Sequence, residues 1–172
     1  MERFLPDVYS QNIYKVNYDK LKDKGIKCLL FDLDNTIVPF SVKKPTLDTI
    51  ELFTKLKEQE FKIIIFSNSP KFRLKRFKNS LNVDVFGNAR KPHKKNFIEI
   101  LKKYHYTESE VAIIGDQLLT DIIGGNNVGI TTVLTTPLDK DPIWTKINRI
   151  REKNIMKKLK ENNLFIKEKY YD

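Results

Sequence analysis

Two carboxylates, Asp32 and Asp34, stand one residue apart where the apolar run "CLLFDLDNTIVPF" (28–40) turns polar. Residues two apart on a strand point to the same face, so both acids can address one ligand. Asp116 and Asp121, in "GDQLLTD" (115–121), raise the candidate carboxylates to four. At ~4 Å each ionised pair costs about 4 kcal/mol at an effective dielectric near 20, and protonation or a divalent cation must relieve that repulsion. An oxygen-only site beside a phosphate suits Mg2+. Zinc is disfavoured, because the sequence holds one cysteine, two histidines and no cluster of them. A carboxylate can also attack phosphorus, splitting one hard displacement into two easier ones. A second acid would protonate the leaving oxygen and later deprotonate water. The Ser67 hydroxyl, nearby backbone N–H groups and the Lys91 ammonium could hold the equatorial oxygens during such a transfer.

These residues are far apart in the chain, and the pattern between them predicts how they meet. The runs at 26–33, 61–67, 83–87, 110–116 and 129–135 are rich in β-branched or aromatic residues. The continuous apolar ones read as strands buried on both faces. Helix-like segments separate them. One at 46–59 has Thr46 as its cap and Leu47, Ile50, Phe53 and Leu56 on one face. Another at 94–104 aligns Phe97, Ile98 and Leu101, and shorter ones are predicted at 71–79 and 118–127. Gly124, Gly125 and Gly129 read as helix-end and turn glycines. Repeated β-α units imply an α/β fold, a Rossmann-like parallel sheet sandwiched by helices. In such sheets ligands bind beyond the carboxyl ends of the strands. Asp32 and Asp34, Ser67 and Asn68, and Asp116 all stand at those ends, with Lys91 just beyond the third run.

With the residues placed, "DLDNT" (32–36), "SNS" (67–69), "RKP" (90–92) and "GDQLLTD" (115–121) resemble the four ordered motifs of haloacid dehalogenase-type phosphatases. "GDQLLTDIIGGN" (115–126), "ARKP" (89–92) and the leader "FLPDVY" (4–9) narrow the resemblance to the capless subfamily IIIA branch labelled YqeG. That branch is similar to mitochondrial phosphatidylglycerophosphate phosphatases. The resemblance implies Asp32 as nucleophile and Asp34 as general acid/base. It implies Ser67, Asn68 and Lys91 as phosphate ligands, and Asp32, Asp34 and Asp116 around Mg2+. Thr36 and Asp121 would be supporting residues. One departure is Ser69, where relatives often carry a second Asn.

Connection lengths bear on the substrate. Only 34 residues lie between Asp32 and Ser67, and 23 between Ser67 and Lys91, which leaves no room for a cap domain. An uncapped crevice suggests a leaving group too large to enclose: a lipid headgroup, a protein or a nucleic acid. The formal net charge of +10 favours anionic partners. Nine basic residues lie between Lys71 and Lys95 against one acid, Asp84, and form a candidate functional rim. An anionic phospholipid, phosphatidylglycerophosphate, is the expected substrate. Nucleic-acid ends or phosphoproteins are the alternative, and a non-catalytic basic binding module, such as a ribosome-associated protein, the second.

The chain reads as one domain over 1–172, with an extension at 1–25 before the first strand, an α/β core at 26–141 and a basic, helical tail at 142–172. Its 40% hydrophobic and 31% charged residues fit a globular domain rather than a disordered one. No apolar run approaches ~18 residues, the first residues lack a secretory signal's apolar core, and the lone cysteine permits a reducing compartment. The expectation is a cytoplasmic protein, peripheral on the inner face of the membrane if Phe4, Leu5, Val8 and Tyr9, or the apolar residues of the tail, enter the interface. The alternative is that both tails cover the domain. Cys28 is expected to fill a strand position rather than act as a thiol.

Overall fold

A computed structural model describes residues 2–140 and 142–165. The sheet has six parallel strands: β1 (Val8–Ser10), β2 (Cys28–Phe31), β3 (Lys62–Phe66), β4 (Asp84–Phe86), β5 (Val111–Gly115) and β6 (Thr131–Thr135). Their spatial order is β1-β6-β5-β2-β3-β4. The chain runs outward from β2 through β3 to β4, then returns to the other side of β2 as β5 and continues to β6. The order therefore reverses at β2, and the crevice beyond its carboxyl end is where such a sheet takes a ligand. The helices are α1 (Tyr18–Asp23), α2 (Leu47–Glu58), α3 (Lys71–Leu81), α4 (Lys94–Tyr104), α5 (Ile123–Val128) and α6 (Lys146–Glu161).

Period-two alternation supplies both faces of the sheet with apolar side chains. Leu29, Phe31, Ile63 and Ile65 join one buried cluster with Phe53 of α2 and Phe77 of α3. Cys28, Leu30, Ile64 and Phe66 join the other with Phe97 and Ile100 of α4. Phe31 packs on Phe53 at 4.9 Å between ring centroids, and Phe66 meets Phe97 edge-on at 4.7 Å. Cys28 is completely buried in β2, and that burial pushes its thiol up to about 12. Folded protein is therefore expected to give no reaction with a disulfide thiol reagent at neutral pH, and one equivalent after unfolding. Rapid labelling of the native state would contradict the buried placement.

Several expectations are corrected. Residues 1–25 do not merely precede the first strand, since Val8–Ser10 pairs with Val133–Thr135 along the sheet edge. The Asp7 carboxylate accepts from the Thr132 N–H at 2.8 Å and its hydroxyl at 3.0 Å, which fixes that register. Three residues are too few to show alternation, and the pairing is decided by tertiary contact. Tyr9 is buried and Phe4 and Leu5 pack around it, in a third cluster with Leu118, Ile122, Leu134, Leu159 and Phe165. These N-terminal side chains cover the domain rather than present themselves to a membrane. In the C-terminal segment Leu159 and Phe165 are buried, whereas Ile150 and Leu164 are exposed; 166–172 lie outside the described residues.

Leu47 and Ile98 are exposed, because the buried stripes of α2 and α4 run through Phe53 and Leu56 and through Phe97, Ile100 and Leu101. Gly129 caps α5 at φ +83°, as expected of a turn glycine. Gly124 and Gly125 instead lie inside that helix. A Cβ at Gly124 would come within 2.7 Å of Phe97, and one at Gly125 within 2.5 Å of Thr132. No inserted domain stands between Asp32 and Ser67, which are joined by a loop, α2 and β3, nor between Ser67 and Lys91, joined by α3, β4 and short turns. None of the described helices is long and apolar enough to cross a membrane.

Candidate active site

Each strand that borders the reversal ends in a polar residue. Asp32 follows Phe31 and donates its backbone N–H to the Ile114 carbonyl at 2.9 Å, which stitches the end of β2 to β5. Ser67 follows Phe66 of β3, and Asp116 follows Gly115 of β5. Lys91 reaches the same place from the loop after β4. Its backbone N–H donates to Asn68 Oδ1 at 2.7 Å, and Asn68 Nδ2 donates back to the Lys91 carbonyl at 3.1 Å. The Asn68 side chain thus anchors Lys91, leaving its own backbone N–H as the group able to meet a phosphate.

The Lys91 ammonium is buried between two carboxylates, donating to Asp32 Oδ1 at 2.7 Å and Asp121 Oδ1 at 2.6 Å. Asp121 sits on a π-helical turn, Leu118–Ile122, and its second oxygen accepts from the Gln117 N–H at 3.1 Å. Gly115 makes room for it, since a Cβ there would lie 2.3 Å from the Asp121 carboxyl carbon. Asp116 Oδ1 accepts from the Thr36 hydroxyl at 2.9 Å. One carboxylate oxygen from each of Asp32, Asp116 and Asp121 lies within 4.8 Å of the other two.

Three buried acids this close are electrostatically costly. Burial pushes the Asp32 carboxyl up to about 8, against the pull of Lys91 and with added repulsion from Asp121 and Asp116. Burial likewise raises Asp116 to about 7, with the Arg149 guanidinium opposing it. Burial alone would lower Lys91, but Asp121 and Asp32 reverse this and hold its ammonium above the usual range. The all-oxygen donor set and its excess negative charge fit a hard divalent cation.

Asp34 stands apart from that triad, although it was expected among the metal ligands. Its carboxylate accepts from the Ser69 hydroxyl and from Arg73, whose Nε donates to Oδ1 at 2.9 Å. Those two donors satisfy Asp34 on the α3 side of the crevice. The crevice has a volume of about 450 Å³ and is lined by Asp32, Asp34, Ser67, Asn68, Ser69 and Lys91, among others. Residues 142, 145 and 148, from the start of the C-terminal segment, complete its wall.

Sequence reasoning missed Arg73, Arg149 and Glu152. Arg73 is one of nine basic residues in its stretch, and nothing in the pattern separates it from its neighbours. Arg149 on α6 forms an ion pair with Asp116 and donates through Nη1 to the Asp116 carbonyl at 3.0 Å. Glu152, one turn later, accepts from Arg149 Nη1 at 3.0 Å and from the Leu119 N–H at 2.9 Å. The only advance signal was their spacing of three on a predicted helix.

Residues 1–139 match the family described as Mitochondrial PGP phosphatase. The chain is 37% identical over 158 residues to "Probable phosphatase YqeG" of Bacillus subtilis (strain 168), covering 91% of this chain and 92% of that one. It is 31% identical over 147 residues to "Phosphatidylglycerophosphate phosphatase 1, chloroplastic/mitochondrial" of Arabidopsis thaliana, covering 79% of this chain but 42% of the plant protein. Among solved structures, the cobalt-bound deoxy-D-mannose-octulosonate 8-phosphate phosphatase of Haemophilus influenzae superposes with a TM-score of 0.55 at 17% identity, over 69% of this chain and 81% of that one, a likeness of fold. These matches displace the reading of a non-catalytic binding module. The chain is a phosphatase, and it belongs to the mitochondrial PGP phosphatase family.

Proposed function

We propose that this phosphatase is Mg2+-dependent, works through an aspartyl-phosphate on Asp32, and converts phosphatidylglycerophosphate to phosphatidylglycerol at the face of an anionic membrane. The observation that carries the chemistry is the buried triad of Asp32, Asp116 and Asp121 with the Lys91 ammonium bridging two of its members. Those three carboxylates would hold the cation, which when bound keeps Asp32 ionised and offsets the charge of the substrate phosphate. Lys91 ties down Asp32 Oδ1 and leaves Oδ2 to attack phosphorus. As the Oδ2–P bond forms, the ester P–O bond breaks and Asp34, which on substrate binding exchanges its bonds to Ser69 and Arg73 for a proton from water, gives that proton to the leaving oxygen. Water then attacks phosphorus, Asp34 takes up its proton, and the Asp32–P bond breaks to release phosphate. Lys91, Ser67 and the Asn68 N–H steady the equatorial oxygens throughout.

The lipid substrate is supported by the names of the family and of the Arabidopsis relative, and by the crevice rim. Phe72, 79% exposed, lies two residues beyond the lining residue Pro70; Ile143 and Ile147, 76% and 65% exposed, lie beside the lining residues Pro142 and Asn148. Exposed Lys71, Lys75 and Arg76 accompany Phe72 on α3. Apolar side chains among cations suit an interface of anionic lipid.

Phosphate release should be measured from phosphatidylglycerophosphate in mixed micelles, a 5′-phosphorylated oligonucleotide and a generic aryl phosphate, each with Mg2+ and with chelator. The expected result is Mg2+-dependent release with the highest kcat/KM on the lipid. Preference for the oligonucleotide would overturn the lipid assignment, and turnover unaffected by chelator would overturn the metal.

A further inference from the structure

The family match stops at residue 139, yet the residue that grips Asp116 comes from beyond it. Arg149 and Glu152 lie on α6, and between them they touch Asp116, which follows β5, and the turn that carries Asp121. Arg149 pairs with the fully buried Asp116 carboxylate and also bonds its backbone carbonyl. Glu152 bonds the Leu119 N–H of the turn that carries Asp121, and it pairs with Arg149. Arg149 has 16% of its side chain exposed and Glu152 8%, so solvent screens neither well.

The charges can be counted. Asp32, Asp116, Asp121 and Glu152 face Lys91 and Arg149, four negative groups against two positive. Counted with all four acids ionised, these six described groups carry a net charge of −2, the complement of one divalent cation. Without Glu152 the excess would fall by half, to one negative charge; without Arg149 it would rise to three, with Asp116 still held by the Thr36 hydroxyl.

We propose that the Arg149–Glu152 pair sets the divalent-cation affinity of the triad, Arg149 as the cation that competes with the metal for Asp116 and Glu152 as the counter-charge that draws it away. The inference rests on the metal reading above and goes beyond it, assigning the tuning of the site to a helix outside the family-matched segment. It has a signed consequence. Glu152→Gln removes a negative charge near the cation and weakens binding by about tenfold or more, as is found for partners of metal ligands; Arg149→Gln removes the positive charge that competes for Asp116 and tightens it. The double variant restores the net charge and returns the affinity towards that of the unmodified chain.

The test is calorimetric titration of the metal-stripped full chain with Mn2+ and Mg2+, for wild type, both single variants and the double variant, with melting curves recorded alongside. The expected result is opposite shifts in Kd for the single variants and compensation in the double. Weakening in both single variants, or no change in either, would overturn the proposal and leave the pair a packing contact. Absence of cation binding by the wild type would overturn the metal reading itself, and this inference with it. If Arg149→Gln does not fold, the comparison of Glu152→Gln with Glu152→Asp decides: the first must lose affinity and the second keep it.

Discussion

Asp32→Asn is expected to lower phosphomonoester turnover by about 10⁴-fold or more while leaving the protein folded. The amide keeps the size of the carboxylate and can still accept from Lys91, so packing at the end of β2 is undisturbed. It lacks the anionic oxygen that must form the bond to phosphorus, and no neighbour can substitute: Asp116 is held by Thr36 and Arg149, and Asp121 by Lys91 and the Gln117 N–H. The substitution also removes one of three crowded acids, one whose burial already holds it at about 8. The melting temperature of the metal-free variant should therefore equal or exceed that of the wild type, which separates lost chemistry from lost structure. Steady-state kinetics beside thermal melts give both readouts. Turnover within tenfold of wild type would remove Asp32 from the reaction.

Lys91→Ala is expected to cost both activity and stability. Asp32 and Asp121 would face each other without their shared ammonium, and removing one member of a buried charge network typically costs about 3–5 kcal/mol. Loss of a cation aimed at the transferring phosphoryl oxygens lowers kcat by about 10²–10³-fold. Denaturant unfolding of the metal-free variant measures the first effect, and turnover under saturating Mg2+ the second. An unfolding midpoint equal to that of the wild type would show that Lys91 is not the counter-ion of the two acids. Intact turnover with a lowered midpoint would confine Lys91 to a structural role.

Much of this arrangement could be read from the chain before its coordinates. The five strands from β2 to β6 carry runs such as Ile63–Phe66 and Val111–Ile114, whose length and branching leave little alternative to a buried parallel sheet. Asp32, Ser67 and Asp116 were visible because each breaks such a run at its carboxyl end, where the fold collects ligands. The strand β1 was hidden by its brevity, since three residues show no period, and its place depends on the Asp7–Thr132 contact across the fold. Partner choice among like residues was equally hidden. Arg73 pairs with Asp34 while exposed Lys75 and Arg76 do not, and the distinction comes from where α3 points each side chain. Leu47 and Ile98 fit the apolar count of their helices but lie off the stripes that meet the sheet. Arg149 and Glu152 belong to a segment read as a basic helical tail, whose many lysines gave no sign of which charges turn inward.

The edge pairing of β1 with β6 has a consequence for biosynthesis. Val8 is synthesised 125 positions before its partner Val133. The Tyr9 ring then waits longer still, for Phe165, which it meets at 5.9 Å. A nascent chain must therefore keep Val8–Ser10 unpaired until β6 has emerged, and β1 is seated after β2 to β5 have been made.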